Sequence, residues 1–238
     1  MNHPICISTG CVHRLFEDRN KSINLLRQFF PEGIEISFAY VHYLLNFEIE
    51  KSNLKYLKTL KFNSIHAPSK DYIYDNNKKS REVLARISDL YKRINARNVV
   101  FHKDTIKDYD LIANNDFVVS LENDDWRKPK NTMDCLKSVL DNNKKFKLTF
   151  DFAHALSTSS DIDEYISCLD DKLIEIHLSI IDEDSKRHTF LHRKDSEELR
   201  RKLNSLKSVS APIVLECGLP DLGRRDLLEK EIDYIRNI

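Results

Sequence analysis

Short apolar runs rich in β-branched residues alternate along this chain with longer charged stretches, and this pattern predicts alternating strands and helices. The eight predicted strands are Pro4–Ser8, Gly33–Ser37, Phe62–His66, Asn98–His102, Phe117–Glu122, Lys147–Asp151, Leu173–Leu178 and Pro212–Glu216. The predicted helices are Ile23–Phe30, Phe47–Leu60, Ser80–Ile94, Tyr109–Asn114, Thr132–Asn142, Ile162–Leu169, Ser196–Leu206 and Leu227–Ile235. A chain of strand–helix units predicts a parallel sheet whose faces are covered by helices.

The number of units decides between two parallel architectures. Eight strand–helix units can close into a barrel, whereas an open doubly wound sheet usually has about five or six strands. No GxGxxG motif follows the first strand, and the chain contains only 4 glycines, which disfavours a dinucleotide-binding domain. The sequence therefore predicts a single (β/α)8 TIM barrel that spans residues 1–238 as one domain.

Composition narrows the class of protein only a little. Lys plus Arg and Asp plus Glu both number 38, and this zero net charge argues against a broad basic field for non-specific nucleic-acid binding. Without a signal-peptide pattern or a long apolar stretch, we expect a cytoplasmic protein with no membrane partner. The odd number of cysteines and the absence of a CxxC pair predict free thiols. These cysteines are Cys6, Cys11, Cys135, Cys168 and Cys217.

Six of the predicted strands end on, or next to, a side chain that can bind a metal or transfer a proton. These side chains are His66, His102, Glu122, Asp151, His177 and Glu216. Taken alone, each is more often a helix cap or a partner in a buried hydrogen bond than a functional residue. The C-terminal strand ends of a barrel meet at one mouth, where crowded carboxylates would repel each other unless a cation lay between them. The set Glu122, Asp151, His177 and Glu216 offers oxygen and nitrogen ligands suited to Mn²⁺, Mg²⁺, Co²⁺ or Zn²⁺.

Neighbouring residues could extend this site. His154 follows the sixth strand by one short turn and could face the same cavity. The loop Ile180–Lys194 contains Arg187, His188 and His192, which could reach the metal or a phosphate or could simply be solvated. A phosphate subsite could also draw on Lys186, Arg187 or Arg193. Glu35 and Glu175 lie within strands and could either hold the His177 imidazole or be interior polar residues.

Taken together, these motifs resemble the xylose isomerase-like TIM barrels. That superfamily contains sugar and sugar phosphate isomerases and epimerases, and also endonuclease IV. The resemblance covers nearly the whole chain, and its carriers are SIHAP (64–68), VVFH (99–102), VSLEND (119–124), LTFDFAHA (148–155), IEIHLS (174–179), RHTFLH (187–192) and IVLE (213–216).

The isomerase and epimerase branch supplies the favoured functional hypothesis. It implies one divalent ion held by Glu122, Asp151, His177 and Glu216, which stabilises the enediolate of a small sugar, polyol or sugar phosphate. Glu122 and Glu216 would act as the catalytic acid and base. The resemblance, together with the loop after the seventh strand, gives the substrate-binding candidates His154, Arg187 and His188.

The endonuclease IV branch supplies the alternative. It implies a zinc-dependent phosphodiesterase acting on abasic or damaged DNA or on a smaller phosphoester, with up to three ions. The additional metal ligands would be His66, His102, His154 and His188. Lys186 occupies the position of a ninth ligand, and this departure argues against a third ion. A barrel that has lost catalysis and serves as a binding subunit is disfavoured because all four central ligands are present.

Overall fold

The computed structural model describes residues 3–124, 133–158 and 161–238, without the side chains of residues 168–170. Within that part of the chain the strands are β1 (Ile5–Ser8), β2 (Gly33–Ser37), β3 (Phe62–His66), β4 (Asn98–His102), β5 (Val119–Glu122), β6 (Lys147–Asp151), β7 (Leu173–Leu178), β8 (Ile180–Ile181), β9 (His188–Thr189) and β10 (Ile213–Leu215). All eight predicted strands form, some with slightly shorter ends. Only the small β8–β9 pair was not predicted.

Seven consecutive strands and the last one close into a parallel barrel. Strands β1 to β7 follow one another around it, and β10 pairs with both β7 and β1. Closure by eight parallel strands confirms the predicted (β/α)8 fold. Since all eight strands run the same way, their C-terminal ends form a single mouth.

The helices cover the outside of the barrel. They are α1 (Arg19–Leu26), α2 (Val41–Leu45), α3 (Lys51–Leu57), α4 (Lys78–Arg93), α5 (Tyr109–Ala113), α6 (Met133–Asn142), α7 (Phe152–Ser157), α8 (Ile162–Leu169), α9 (Glu197–Asn204) and α10 (Asp226–Asn237). The predicted helix start at Thr132 lies outside the described residues. The short helices α2 and α7 were not predicted.

A capping residue explains where α1 begins. α1 begins four residues earlier than predicted because the Asp18 side chain accepts a hydrogen bond from the Asn20 backbone nitrogen, 2.8 Å away. It gives way to a 3₁₀ turn at Arg27–Phe29, after which Phe30 has a left-handed φ of 49°. In α4, Val83, Leu84, Ile87 and Leu90 are buried, and their spacing of three and four residues places them on one face of the helix.

The small β8–β9 hairpin stands beside the mouth, directly after β7. Ile180 pairs with Thr189 and Ile181 with His188 in antiparallel register. Its turn is closed by a hydrogen bond of 2.8 Å from the Lys186 backbone nitrogen to the Asp182 carbonyl oxygen. The hairpin thus orders much of the loop Ile180–Lys194.

Two further expectations can be checked on the described residues. Cys6, Cys11 and Cys217 are buried free thiols and Cys135 is an exposed one, as predicted, while the Cys168 side chain lies outside the described part. In the same part of the chain, no helix is long and apolar enough to cross a membrane.

Candidate metal centre

Strand register brings the predicted ligands together in adjacent pairs. His102 on β4 is the register partner of Glu122 on β5, and Asp151 on β6 is the partner of His177 on β7. Glu216 follows β10, whose Val214 is itself paired with His177. Neighbouring strands lie about 4.8 Å apart, so these side chains meet across one mouth.

Glu122 lies at the centre, and its two carboxylate oxygens face different imidazoles. Its Oε1 is 2.8 Å from His177 Nδ1. Its Oε2 is 3.2 Å from His102 Nε2 and 3.8 Å from His66 Nε2. The side chain is only 2% exposed, so Glu122 connects two groups of ligands inside the fold.

These residues form three overlapping groups, in each of which the ligand atoms lie within 4.8 Å of one another. The groups, called here sites A, B and C, are A (His66, His102, Glu122), B (Glu122, Asp151, His177, Glu216) and C (Asp151, His154, His188). Glu122 is common to sites A and B, and Asp151 is common to sites B and C. The four residues predicted as central ligands therefore lie together in site B. Of the four additional histidines, His66 and His102 lie in site A, and His154 and His188 lie in site C.

Hydrogen bonds fix the orientation of the imidazoles. A carbonyl oxygen can only accept, so His154 Nδ1 donates its proton to the Asn123 carbonyl oxygen at 2.8 Å, and His66 Nδ1 donates to the Ala67 carbonyl oxygen at 3.2 Å. In its neutral form, each ring then has its basic lone pair on Nε2. His188 Nδ1 lies 2.7 Å from Ser179 Oγ. Tethering of the second nitrogen is characteristic of metal-bound histidine.

His177 is held from below by Glu35 and Glu175. Its Nε2 lies 3.1 Å from Glu35 Oε2 and 3.5 Å from Glu175 Oε1. Ser8 Oγ in turn donates to Glu35 Oε1 at 2.7 Å. Of the two roles considered for Glu35 and Glu175, these contacts favour holding the imidazole, with His177 Nδ1 facing site B.

A polar layer inside the barrel supports Glu175. Its Oε1 accepts from Asn98 Nδ2 at 2.9 Å and from Thr149 Oγ1 at 3.1 Å. The Thr149 hydroxyl also lies 2.8 Å from Ser120 Oγ. This network fixes the floor beneath His177, because a buried side chain with several hydrogen-bond partners has few alternative conformations.

The protonation equilibria of the metal-free site reflect crowded opposite charges. Burial disfavours the charged forms, but the charge of His177 outweighs it at Glu216 and lowers the pKa of that carboxyl to about 2. At His66 burial is likewise outweighed, by Glu122 and Glu35, which raise the pKa of the imidazole to about 9. Burial itself prevails at Asp151 and raises the pKa of its carboxyl. The carboxylates are thus balanced by imidazolium charge when no ion is bound.

Two buried oxygen atoms test whether this arrangement suits a cation. Glu122 Oε2 and Asp151 Oδ2 accept no hydrogen bond from the described residues, although imidazole nitrogens of His102 and His154 lie 3.2 and 3.8 Å from them. A buried carboxylate oxygen without a partner is costly, and a metal ion would satisfy it. Both atoms belong to residues shared between sites, so the residues present fit a divalent ion.

Other predicted residues lie at the rim or away from the centre. Arg187 and Lys186 are exposed on the β8–β9 hairpin and line the cavity that contains His188 and Glu216. His192 instead places its Nδ1 2.6 Å from Glu231 Oε2 of α10 and belongs to none of the three sites. His192 therefore has a structural role, which was neither of the two roles considered for its loop.

Sequence reasoning missed two residues that position ligands. Asn123 Oδ1 accepts from the Asp151 backbone nitrogen at 2.6 Å, and Asn123 Nδ2 donates to the Asp151 carbonyl oxygen at 2.9 Å. Ser179 lies against His188. The available signal was their place in the chain, because each directly follows a strand end that carries a ligand or its neighbour.

Solved structures of other proteins have the same fold as this chain, although no sequence comparison finds a relative. No protein-family profile matches the chain, and no curated protein sequence is found to be related. Among solved structures, a D-tagatose 3-epimerase-like protein shares 18% identity at a TM-score of 0.62, with 98% of each chain covered. A D-allulose 3-epimerase from Methylomonas sp. in complex with D-allulose shares 14% identity at a TM-score of 0.68, covering 99% of this chain and 96% of that one.

Endonuclease IV from Thermus thermophilus is as similar as the epimerases. It shares 14% identity at a TM-score of 0.67, with 98% of each chain covered. The chain thus shares the (β/α)8 barrel fold of these epimerases and of endonuclease IV, which is the fold that its motifs predicted. At these identities the likeness does not separate the epimerases from the nuclease, so the choice depends on the site.

Proposed function

We propose that this protein is a metal-dependent phosphoester hydrolase whose substrate is a phosphodiester, either abasic or damaged DNA or a smaller ester. The observation that carries the proposal is the position of Glu122 between sites A and B, with one oxygen directed to each. A carboxylate shared in this way would bridge two ions. Pairs of ions about 3.5–4 Å apart are characteristic of phosphoryl-transfer enzymes.

Sites A and B would hold their ions through unequal sets of side chains. Site B supplies four, and site A supplies His66, His102 and the shared Glu122. Ions bound there would polarise a phosphoryl oxygen and lower the pKa of a water molecule that attacks phosphorus. Zinc suits the mixed imidazole and carboxylate ligands. Site C also contributes three side chains in the described chain, and Lys186 stands where the resemblance to endonuclease IV implies a further ligand, so we assign the reaction to sites A and B.

The protein's own residues would orient and bind the ester. Asn123 and Ser179 fix His154 and His188, so that their Nε2 atoms keep a set direction. Glu216 is the most accessible carboxylate of site B, with its side chain 17% exposed. The guanidinium of Arg187 lines the same cavity and is suited to bind a phosphate oxygen.

A sugar or sugar phosphate isomerase or epimerase is the second candidate. It is supported by site B, whose Glu122 and Glu216 would exchange a proton with the substrate, and by the fold shared with the D-allulose 3-epimerase. A glutamate that acts as a base needs an oxygen directed at the substrate. Because both Glu122 oxygens face imidazoles, we rank this reaction second.

A direct test is incision of a DNA duplex that carries one abasic site, with bis(p-nitrophenyl) phosphate as a small diester. The zinc-loaded protein should cleave at least one of the two, a chelator should abolish cleavage, and Glu216→Gln should do so with the fold intact. In parallel, ketoses and their phosphates are incubated in D₂O and followed by NMR. Deuterium exchange at carbon without diester cleavage would contradict the hydrolase and support the isomerase.

A further inference from the structure

A cavity of about 690 Å³ opens above the candidate metal centre and is bordered by fixed positive charges. One part of its wall contains Glu216 and His188 of the centre. The rest includes five cations, called here the cationic rim: Arg14, Lys70, Lys186, Arg187 and Arg193. They come from the segments that follow β1, β3 and β7, so separate parts of the fold converge on one opening.

The charge at this opening is not balanced by its surroundings. Against the five cations the wall contains only two carboxylates among the described residues, Asp182 and Glu216. Asp182 already accepts a hydrogen bond from the Ser185 backbone nitrogen at 2.8 Å, and Glu216 belongs to site B. None of the five rim side chains forms an ion pair with another described residue. In a chain of zero net charge, this local excess favours an anionic ligand.

The rim is built on ordered backbone. The hairpin turn is closed between Lys186 and Asp182, and the Gly218 backbone nitrogen donates to the His188 carbonyl oxygen at 3.2 Å, which ties the hairpin to the segment after β10. Across the opening, the Lys70 backbone nitrogen donates to the Ala39 carbonyl oxygen at 3.0 Å. Such anchoring reduces the entropy lost when the rim binds a ligand.

We propose that the cationic rim is a phosphate-binding subsite, so that the substrate is a phosphate ester that extends from the metal centre towards Arg187 and Lys70. The proposal rests on the proposed function for the location of the reacting group, and it names the chemistry that recognises the rest of the substrate. Arg14, Arg187 and Arg193 can each bind phosphate oxygens in bidentate fashion, and Lys70 and Lys186 act as point charges.

Two kinds of molecule carry this chemistry, a phosphorylated small molecule and a polynucleotide. Beyond Lys70 the surface continues into aromatic side chains. Lys70 Nζ lies 5.5 Å from the ring centroid of Tyr40, whose ring stacks on His42 at 5.6 Å and 26°. Accessible aromatic rings beside cations can stack on the bases of a single strand. The test therefore includes one probe for each source.

The experiment compares binding of ribose 5-phosphate, ribose and a 12-nucleotide single-stranded DNA to the zinc-loaded protein. Affinities are measured by calorimetry and fluorescence anisotropy. The variant is the double substitution Arg187→Gln and Arg193→Gln. The matched control is Arg97→Gln and Lys145→Gln, two exposed cations that precede β4 and β6 at the opposite end of the barrel. Zinc content and circular dichroism verify that each protein is folded and loaded.

The wild type should bind at least one phosphate probe more tightly than ribose, and the rim variant should weaken that binding by roughly fivefold to tenfold. The opposite-end control should bind like the wild type, and the effect should shrink as salt is raised. The phosphate probe whose affinity falls more in the rim variant shows whether the ligand is a phosphorylated small molecule or a polynucleotide. Equal affinities in the wild type and the rim variant, or no preference over ribose, would overturn the subsite. Since binding needs no turnover, the subsite and the hydrolase can fail separately.

Discussion

The Nε2 atom of His177 lies 3.1 Å from Glu35 Oε2, while its Nδ1 faces Glu122 and Glu216 in site B. Glu35 thereby fixes which nitrogen of His177 is directed to site B, although it is not itself a member of that site. Carboxylates that hold a ligating imidazole in this way affect metal affinity through the imidazole.

Replacing Glu35 by Gln should therefore weaken zinc binding at site B by about 10- to 100-fold without unfolding the chain. The measurement is competition for zinc with a chelator of known affinity. The exposed carboxylate Glu17, changed to Gln, serves as the control and should behave like the wild type. Unchanged zinc affinity in Glu35→Gln would show that Glu35 only fills the barrel interior.

Loss of Glu122 should affect more than one ion, because it is shared by two sites. We expect the Glu122→Gln variant to bind fewer zinc ions per chain than the His66→Asn variant, because His66 belongs to site A alone. Metal content per chain is measured by mass spectrometry after gel filtration. Equal stoichiometry in the two variants would contradict a bridging role.

Asn123 should stabilise both the fold and site C, since it holds the backbone of Asp151 on both sides and also the ring of His154. Asn123→Ala leaves buried groups without partners and should lower the free energy of unfolding by about 1–3 kcal/mol. Urea denaturation measures the change. The control is Asn142→Ala at the exposed end of α6, and equal stability of the two variants would contradict the assigned role of Asn123.

Metal uptake should release protons. In the metal-free chain the pKa of His66 is raised to about 9, because Glu122 and Glu35 outweigh the effect of burial. A divalent ion binds the neutral imidazole, so at pH 7 it displaces a proton, and zinc affinity should rise as pH increases from 6 towards 9. Calorimetry in buffers of different ionisation enthalpy counts the released protons. The count should fall in His66→Asn; zinc uptake with no proton release would contradict the prediction.

His192 and Glu231 should matter for stability and not for metal binding. Buried Glu231 accepts from the backbone nitrogens of Leu191 and His192, at 2.7 and 3.1 Å, and contacts the His192 ring. Glu231→Gln should therefore lower the melting temperature and leave the zinc stoichiometry intact, because an amide cannot replace all of these bonds. A loss of bound zinc in the folded variant would contradict this prediction and show that His192 contributes to metal binding.

The period of the apolar pattern was sufficient to predict the strands and the barrel, and the residue types at the strand ends were sufficient to predict that the four side chains of site B lie together. Register could not be predicted from one sequence, so the sharing of Glu122 between His177 and His102 became visible only in the structure. Asn123 was missed for a related reason. Its role depends on the backbone of Asp151, 28 positions away, and no local pattern encodes that contact.

The loop after β7 shows a second limit of prediction from sequence, namely the direction in which each side chain of a loop points. Its sequence, rich in charge, allowed both a solvated loop and a ligand-bearing one, and its two histidines have different surroundings in the structure. His188 pairs in the hairpin and joins site C, while His192, four residues later, turns to α10. Neither periodicity nor charge distinguishes two histidines of the same loop, because their directions depend on tertiary contacts.

The most direct test of the bridged metal centre is a crystal structure of the zinc-loaded protein with anomalous diffraction at the zinc edge. We predict anomalous peaks on both sides of Glu122, one among His66 and His102 and one among Asp151, His177 and Glu216. A single peak in site B, with His66 and His102 unliganded at saturating zinc, would contradict the bridging centre and favour the one-metal isomerase.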